Sequence, residues 1–106
     1  MKQFTTPEQT AKLIELGLLP KRIQSVSDEG KMLLELMGFS IGELIEMLPI
    51  ELEDVGINTT LAIHFDNNLA NVEYIGLLGV EYSILNKELV DALYEMIVKL
   101  KNEKLI

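Results

Sequence analysis

Apolar residues recur along this chain with two different periods, and the change of period divides it. In the first half they fall three and four positions apart. Thr6-Pro7-Glu8-Gln9 opens the first run with a threonine able to cap a helix and a proline whose missing N–H costs nothing at the first turn. A glutamine three residues after the threonine completes a capping box. Ala11, Ile14 and Leu18, flanked by Leu13 and Leu16, form the apolar face, and Gly17 and Pro20 stop it. The pattern predicts a helix over 7–17. Residues 21–26 alternate enough for a short strand or an extended link. Met32, Leu33, Leu36 and Met37 return to helical spacing behind Ser27-Asp28-Glu29, so a further helix is expected near 28–37, although Gly30 weakens it. Helix and strand both remain open for 21–38.

Ser40-Ile41-Gly42-Glu43 is a second capping box, and Ile41, Leu44, Ile45 and Leu48 follow at i, i+3, i+4 and i+7. Pro49 closes that helix, predicted over 41–48. Residues 50–59 read as a loop with a turn around Asp54-Val55-Gly56. From Thr60 the period becomes two: Leu61, Ile63 and Phe65 alternate with Thr60, Ala62, His64 and Asp66. Asp66-Asn67-Asn68 is turn chemistry, since these side chains tolerate left-handed backbone. Val72 and Tyr74 give the return strand, opposite Asn71 and Glu73. Gly76 and Gly79 allow a bulge or a second turn. Val80, Tyr82 and Ile84 alternate with Glu81 and Ser83 as a third strand. A last helix, predicted over 87–102 and capped by Asn86, carries Leu89, Val90, Leu93, Met96, Ile97 and Leu100 in one wide stripe. Glu95 and Lys99 stand as an i,i+4 pair on its outer side.

The fold class that follows is α+β: three or four helices packed on one face of a small antiparallel β-meander spanning 60–84, in a single domain over 1–106. Leu44, Ile45, Leu48, Leu61, Ile63, Phe65, Leu93 and Ile97 are the expected core.

Composition narrows the chemistry. Hydrophobic residues make up 48% of the chain, enough for a folded core despite a net charge of -8. Cysteine is absent, which removes disulfides, thiolate metal cages and thiol nucleophiles. Met1-Lys2-Gln3-Phe4 starts no apolar run, so a signal peptide is not expected, and no stretch suits a transmembrane helix. Asn58-Thr59-Thr60 matches a glycosylation pattern that has no meaning without secretion. A cytoplasmic protein is the expectation. The charge is uneven: residues 1–26 sum to +2, 27–54 to -7, 55–85 to -3, and 86–106 to zero.

Candidate catalytic groups are few. His64, the one histidine, shares a predicted strand face with Asp66, but no second histidine or cysteine completes a metal or acid–base set. It is expected to be a solvated surface residue. Glu43 with Glu46, and Glu51 with Glu53, are carboxylate pairs without the aromatic platform of a sugar cleft. Asp54-Val55-Gly56-Ile57-Asn58 and Asp66-Asn67-Asn68 are only fragments of a calcium loop. No phosphate loop or nucleophile elbow is present. No catalytic, cofactor or metal site is assigned, and the chain is not expected to be an enzyme.

Residues 36–45 have the look of two helices joined by a glycine-containing turn, and the element order is that of winged-helix DNA-binding regulators. The candidate recognition helix at 41–48 nevertheless holds Glu43 and Glu46 and no basic residue, and the hairpin at 60–75 has none either. Phosphate contacts supply most DNA affinity, so nucleic-acid binding is not expected.

Thr6 to Leu18, Phe39 to Pro49 and Leu89 to Lys101 together resemble small uncharacterised proteins encoded in prophages and mobile elements of gut anaerobic bacteria. Members usually carry tryptophan or tyrosine where Phe39 stands. The resemblance implies no known activity and assigns no functional residue; with the acidic middle segment and the absence of a catalytic motif it fits a phage or mobile-element accessory factor. Joined to the acidic middle segment, it suggests a protein–protein interaction role. The acidic segment reads first as a solvated surface that keeps the chain soluble; if it is a working surface, the partner is an unidentified protein with a basic patch, met by Glu43, Glu46, Glu51, Glu53 and Asp54, with no cofactor and no membrane involved.

Overall fold

The structure, a computed structural model, describes residues 1–19, 34, 37–54 and 56–106. Among them the chain forms α1 (Pro7–Glu15), α2 (Ile41–Met47), β1 (Glu51–Asp54), β2 (Ile57–Asp66), β3 (Leu69–Gly76), β4 (Gly79–Asn86) and α3 (Leu89–Asn102). This is an α+β structure of three helices and a four-stranded antiparallel sheet in the order β1-β2-β3-β4. The strand or link expected at 21–26 lies outside the described residues. So does the helix near 28–37, apart from Leu34 and Met37, whose backbone is helical.

Both capping boxes form. Thr6 Oγ1 accepts from the Gln9 N–H at 3.2 Å while Gln9 Oε1 accepts from the Thr6 N–H at 2.9 Å, and Ser40 and Glu43 repeat the exchange at 3.2 and 3.0 Å. Helix α1 stops at Glu15, because Gly17 turns left-handed (φ +84°) and its N–H and that of Leu18 close on Ile14 and Leu13. The last helix starts at Leu89. Its cap is Glu88 and not Asn86, whose Oδ1 instead accepts from the Glu88 N–H at 3.1 Å.

The sheet is longer than the alternation indicated. Asn67 and Asn68 both take positive φ (51° and 66°), the conformation of a two-residue hairpin turn that follows the sheet's twist. That turn sets Asp66 opposite Leu69 and Ile63 opposite Val72. The expected loop at 50–59 instead contains β1, paired from Glu51↔Thr60 to Asp54↔Ile57. The second hairpin turns at Leu77-Leu78, between the paired Gly76 and Gly79. A register shift pairs Ile75 with Val80 but Tyr74 with Tyr82, leaving Glu81 as the extra residue. Val80 thereby leaves the face it was expected to share with Tyr82 and Ile84.

Helix α3 lies against β3, β4 and α2. Seven of its residues, from Leu89 to Leu100, are buried with Val72 and Tyr74 of β3, Leu44 and Leu48 of the α2 region, and Leu13, Leu34 and Phe39. Each such side chain contributes roughly 1.5–3 kcal/mol by leaving water. Two expected core residues are not there. Phe65 is 59% exposed, since it sits one pair from the hairpin turn, on a strand that α3 does not cover. Ile45 is 36% exposed because the short α2 buries the Leu44 line and turns its neighbour outward. Leu61 and Ile63 are half-buried.

Polar contacts fix the N-terminal segment. The Thr5 N–H donates to the Phe39 carbonyl and Thr5 Oγ1 accepts from the Phe39 N–H, at 3.0 and 2.9 Å. A Cβ on Gly38 (φ +75°) would lie 2.6 Å from the Thr5 carbonyl oxygen, so this crossing requires glycine. Lys2 Nζ reaches Asp91 Oδ1 at 2.6 Å beside a 2.8 Å bond from Gln9 Nε2. Burial pushes the Asp91 carboxyl up, but these two hydrogen bonds and the lysine charge outweigh it and hold it below its ordinary value. The Tyr74 hydroxyl donates to the Pro49 carbonyl at 2.7 Å, tying β3 to the α2–β1 link, and burial pushes this phenol up to about 12.

Two stability predictions follow from these positions. Tyr74→Phe should lose about 1 kcal/mol at neutral pH, the typical net worth of one hydrogen bond. A raised phenol favours the folded state in full below its unfolded value near 10, and this contribution fades as pH rises toward 12. The variant should therefore lack that alkaline decline in urea-midpoint measurements taken at successive pH values. Lys104 holds a left-handed φ of 60° where the α3 terminus bonds the Leu105 N–H back to the Leu100 carbonyl. Lys104→Gly relieves that strain and should raise stability by roughly 0.5–1 kcal/mol in the same assay.

Candidate functional site

The acidic residues singled out from the sequence have different local roles. Glu51 and Glu53 lie two apart on β1, so both project from one face of this edge strand, and both are exposed. Glu46 is exposed on α2. Glu43 is half-buried, and its Oε1 caps α2 through the Ser40 N–H. Asp54 ends β1 opposite Ile57. The structure thus aligns Glu51 and Glu53, and it gives Glu43 a structural task.

His64 is not solitary. Its Nε2 stands 2.9 Å from Glu73 Oε1, the diagonal neighbour across the β2–β3 ladder, and Asp66 is not its partner. Asn71 Nδ2 donates to the same Glu73 oxygen, and Ser83 Oγ donates to Asn71 Oδ1 at 3.1 Å. A four-residue polar chain therefore crosses β2, β3 and β4. Glu73 and Asn71 are buried, while the imidazole is about half exposed. The carboxylate orients the ring, as in an acid–base dyad, but the Ser83 hydroxyl is turned to Asn71 and not to His64. Serine activation by this histidine is not what the arrangement provides. Among the described residues, no group of three His, Asp or Glu side chains could hold a metal ion. None of their helices is long and apolar enough to cross a membrane.

Apolar side chains outside the core form the other notable surface. Leu77 and Leu78, at the tip of the β3–β4 hairpin, are 104% and 89% exposed. The cross-strand pair Ile75 and Val80 is exposed behind them, with Leu85 further along β4. The β1–β2 connection approaches the same end of the sheet: Gly56, Ile57 and Asn58 line a shallow depression with Leu77 and Leu78. Gly76 makes the approach possible, since a Cβ there would lie 2.9 Å from the Asn58 carbonyl oxygen. The glycines at 76 and 79 indicate a bulge or a turn here and no exposed surface. Two leucines placed between Gly76 and Gly79, where turns favour asparagine or glycine, were the available signal.

Of the two buried members of the polar chain, Glu73 is the one that both His64 and Asn71 contact. Glu73→Ala leaves Asn71 Nδ2 and His64 without their acceptor and should cost about 1–3 kcal/mol, whereas His64→Ala should cost under about 1 kcal/mol. Chemical denaturation of the two variants compares them directly.

No family model, curated protein or solved structure matches this chain.

Proposed function

We propose that this chain is a protein–protein interaction or accessory factor of a phage or mobile element, and that it is not an enzyme. The observation that carries this reading is the apolar hairpin end formed by Leu77, Leu78, Ile75 and Val80. Exposed apolar patches of this kind mark contact surfaces, and the two leucines bury almost no area within the described fold. The reading takes the sheet as a meander with all helices on the face of Val72 and Tyr74, leaving the opposite face to partners. Glu51 and Glu53, on the exposed edge strand, add a field that speeds encounter with a basic partner and weakens with salt. Glu46 adds an exposed charge on α2, Asp54 adds a carboxylate to the sequence of β1, and Glu43 caps its helix. The same charges oppose duplex DNA.

A photo-crosslinking residue at Leu78, compared with one at the exposed Ala11 of α1, tests the reading in cells that make the protein. Discrete adducts from position 78 and none from position 11 are expected. A folded protein giving no adduct from position 78, or equal smears from both, would overturn it. Submicromolar binding to duplex DNA at physiological salt in a gel-shift assay would put the winged-helix alternative first.

A further inference from the structure

The register places two kinds of side chain together on one face of the sheet. Thr60 pairs with Glu51 on one side and with Ile75 on the other, and Ile75 pairs with Val80. Paired residues share a face, so Glu51, Thr60, Ile75 and Val80 form one row across the sheet, on the face opposite Val72 and Tyr74. Glu53 and Asn58 begin the next row. It runs out at the hairpin tip, where Asn58 lines the shallow depression with Leu77 and Leu78. Glu51 and Glu53 are exposed, as are Ile75, Val80, Leu77 and Leu78. The apolar cluster therefore has a carboxylate flank two strand spacings from Ile75, roughly 10 Å across the sheet.

We propose that this surface docks a basic, apolar segment of another protein, with large apolar side chains on Ile75, Leu77, Leu78 and Val80 and with lysine or arginine reaching Glu51 and Glu53. This rests on the interaction reading above and names the chemistry of its partner. Leu77 and Leu78 have the most area to remove from water, and the glutamates decide what removes it.

Charge selects the occupant. Residues 32–86 contain no lysine or arginine, and within the sheet they supply Glu51, Glu53, Asp54, Asp66, Glu73 and Glu81. The described lysines, at 2, 12, 87, 99, 101 and 104, all lie outside the four strands. The undescribed residues do not change the total. Among them Lys21, Arg22 and Lys31 balance Asp28, Glu29 and Glu35, so the net charge of -8 belongs wholly to the described part. A second copy would bring the same sign of charge to this face, as would an anionic lipid surface or a nucleic acid, and each is repelled. A basic segment instead gains attraction at the flank while its apolar side chains are buried at the tip.

Selection from a random dodecapeptide library on the full chain, at physiological salt, tests the proposal. The expected consensus combines large apolar residues with lysine or arginine and lacks aspartate and glutamate. A synthetic peptide of that consensus should bind Leu78→Ser ~10-fold more weakly than the parent. It should bind the double variant Glu51→Gln, Glu53→Gln about 3-fold more weakly, and its affinity for the parent should fall as salt rises. All three positions are exposed, so both variants should keep the parent's circular dichroism spectrum. Should either lose it, amide shift changes in the parent on titration with the peptide decide, and they should cluster at 51–53 and 75–80. A consensus without basic residues, a peptide indifferent to the folded variants, shifts elsewhere, or no selected peptide overturns the proposal. So does self-association of the parent, or its adhesion to neutral phosphatidylcholine vesicles, if Leu78→Ser abolishes it. If the proposal fails while position 78 still crosslinks to proteins in cells, the interaction reading stands with a partner of other chemistry. Loss of those adducts removes the reading itself.

Discussion

The rest of the structure depends on one contact, the apolar stripe of α3 laid on β3. A fourteen-residue helix is marginal alone in water, and its seven buried residues need a prepared surface. β3 supplies it, as an inner strand bonded along both edges with Val72 and Tyr74 fully buried. Other parts attach to this pair. Leu44 and Leu48 join its core, Tyr74 holds the Pro49 carbonyl, and Lys2 and Gln9 fasten the N-terminal segment to Asp91. Where α3 does not reach, burial fades. Leu61 and Ile63 are only half-buried and Phe65 is exposed, although all three alternate as regularly as the residues of β3.

The last point explains how far the sequence could be read. Local chemistry was legible: two capping boxes, the Asn67-Asn68 turn and the stripe of α3 all act within a few residues. Alternation shows which residues share a face, but not which part of that face a helix covers, so it puts Phe65 in the core; helical spacing likewise puts Ile45 beside Leu44, although the short α2 buries only the Leu44 line. Strand β1 is hard to read from the sequence because Glu51, Glu53 and Asp54 are poor strand formers, held in the ladder by pairing with β2 and by the buried Leu52. The Val80 error has a similar origin, for a bulge changes the parity of a strand without changing its composition. The His64–Glu73 contact was within reach. An Asn67-Asn68 turn puts His64 opposite Asn71 and diagonal to Glu73. Along β2 alone the same-face neighbour is Asp66; the carboxylate that His64 meets lies across the ladder.

The acidic segment now has a partly structural explanation. Glu43 caps a helix, and Glu51 and Glu53 sit where an unprotected edge would invite aggregation. Charge in this protein is arranged by edge: β1 is short and negative, β4 long and nearly neutral. Leucines at the hairpin tip belong with β4.

Native-state hydrogen exchange in dilute solution tests the central dependence on the α3–β3 contact most directly. The account predicts that the slowest amides lie in β3 and the middle of α3, and that they open only with global unfolding. Amides of α1 and β1 should exchange earlier, through local opening. If amides of α1 or β1 were as protected as those of β3, or if α3 exchanged ahead of them, α3 on β3 would not be the contact on which the fold depends.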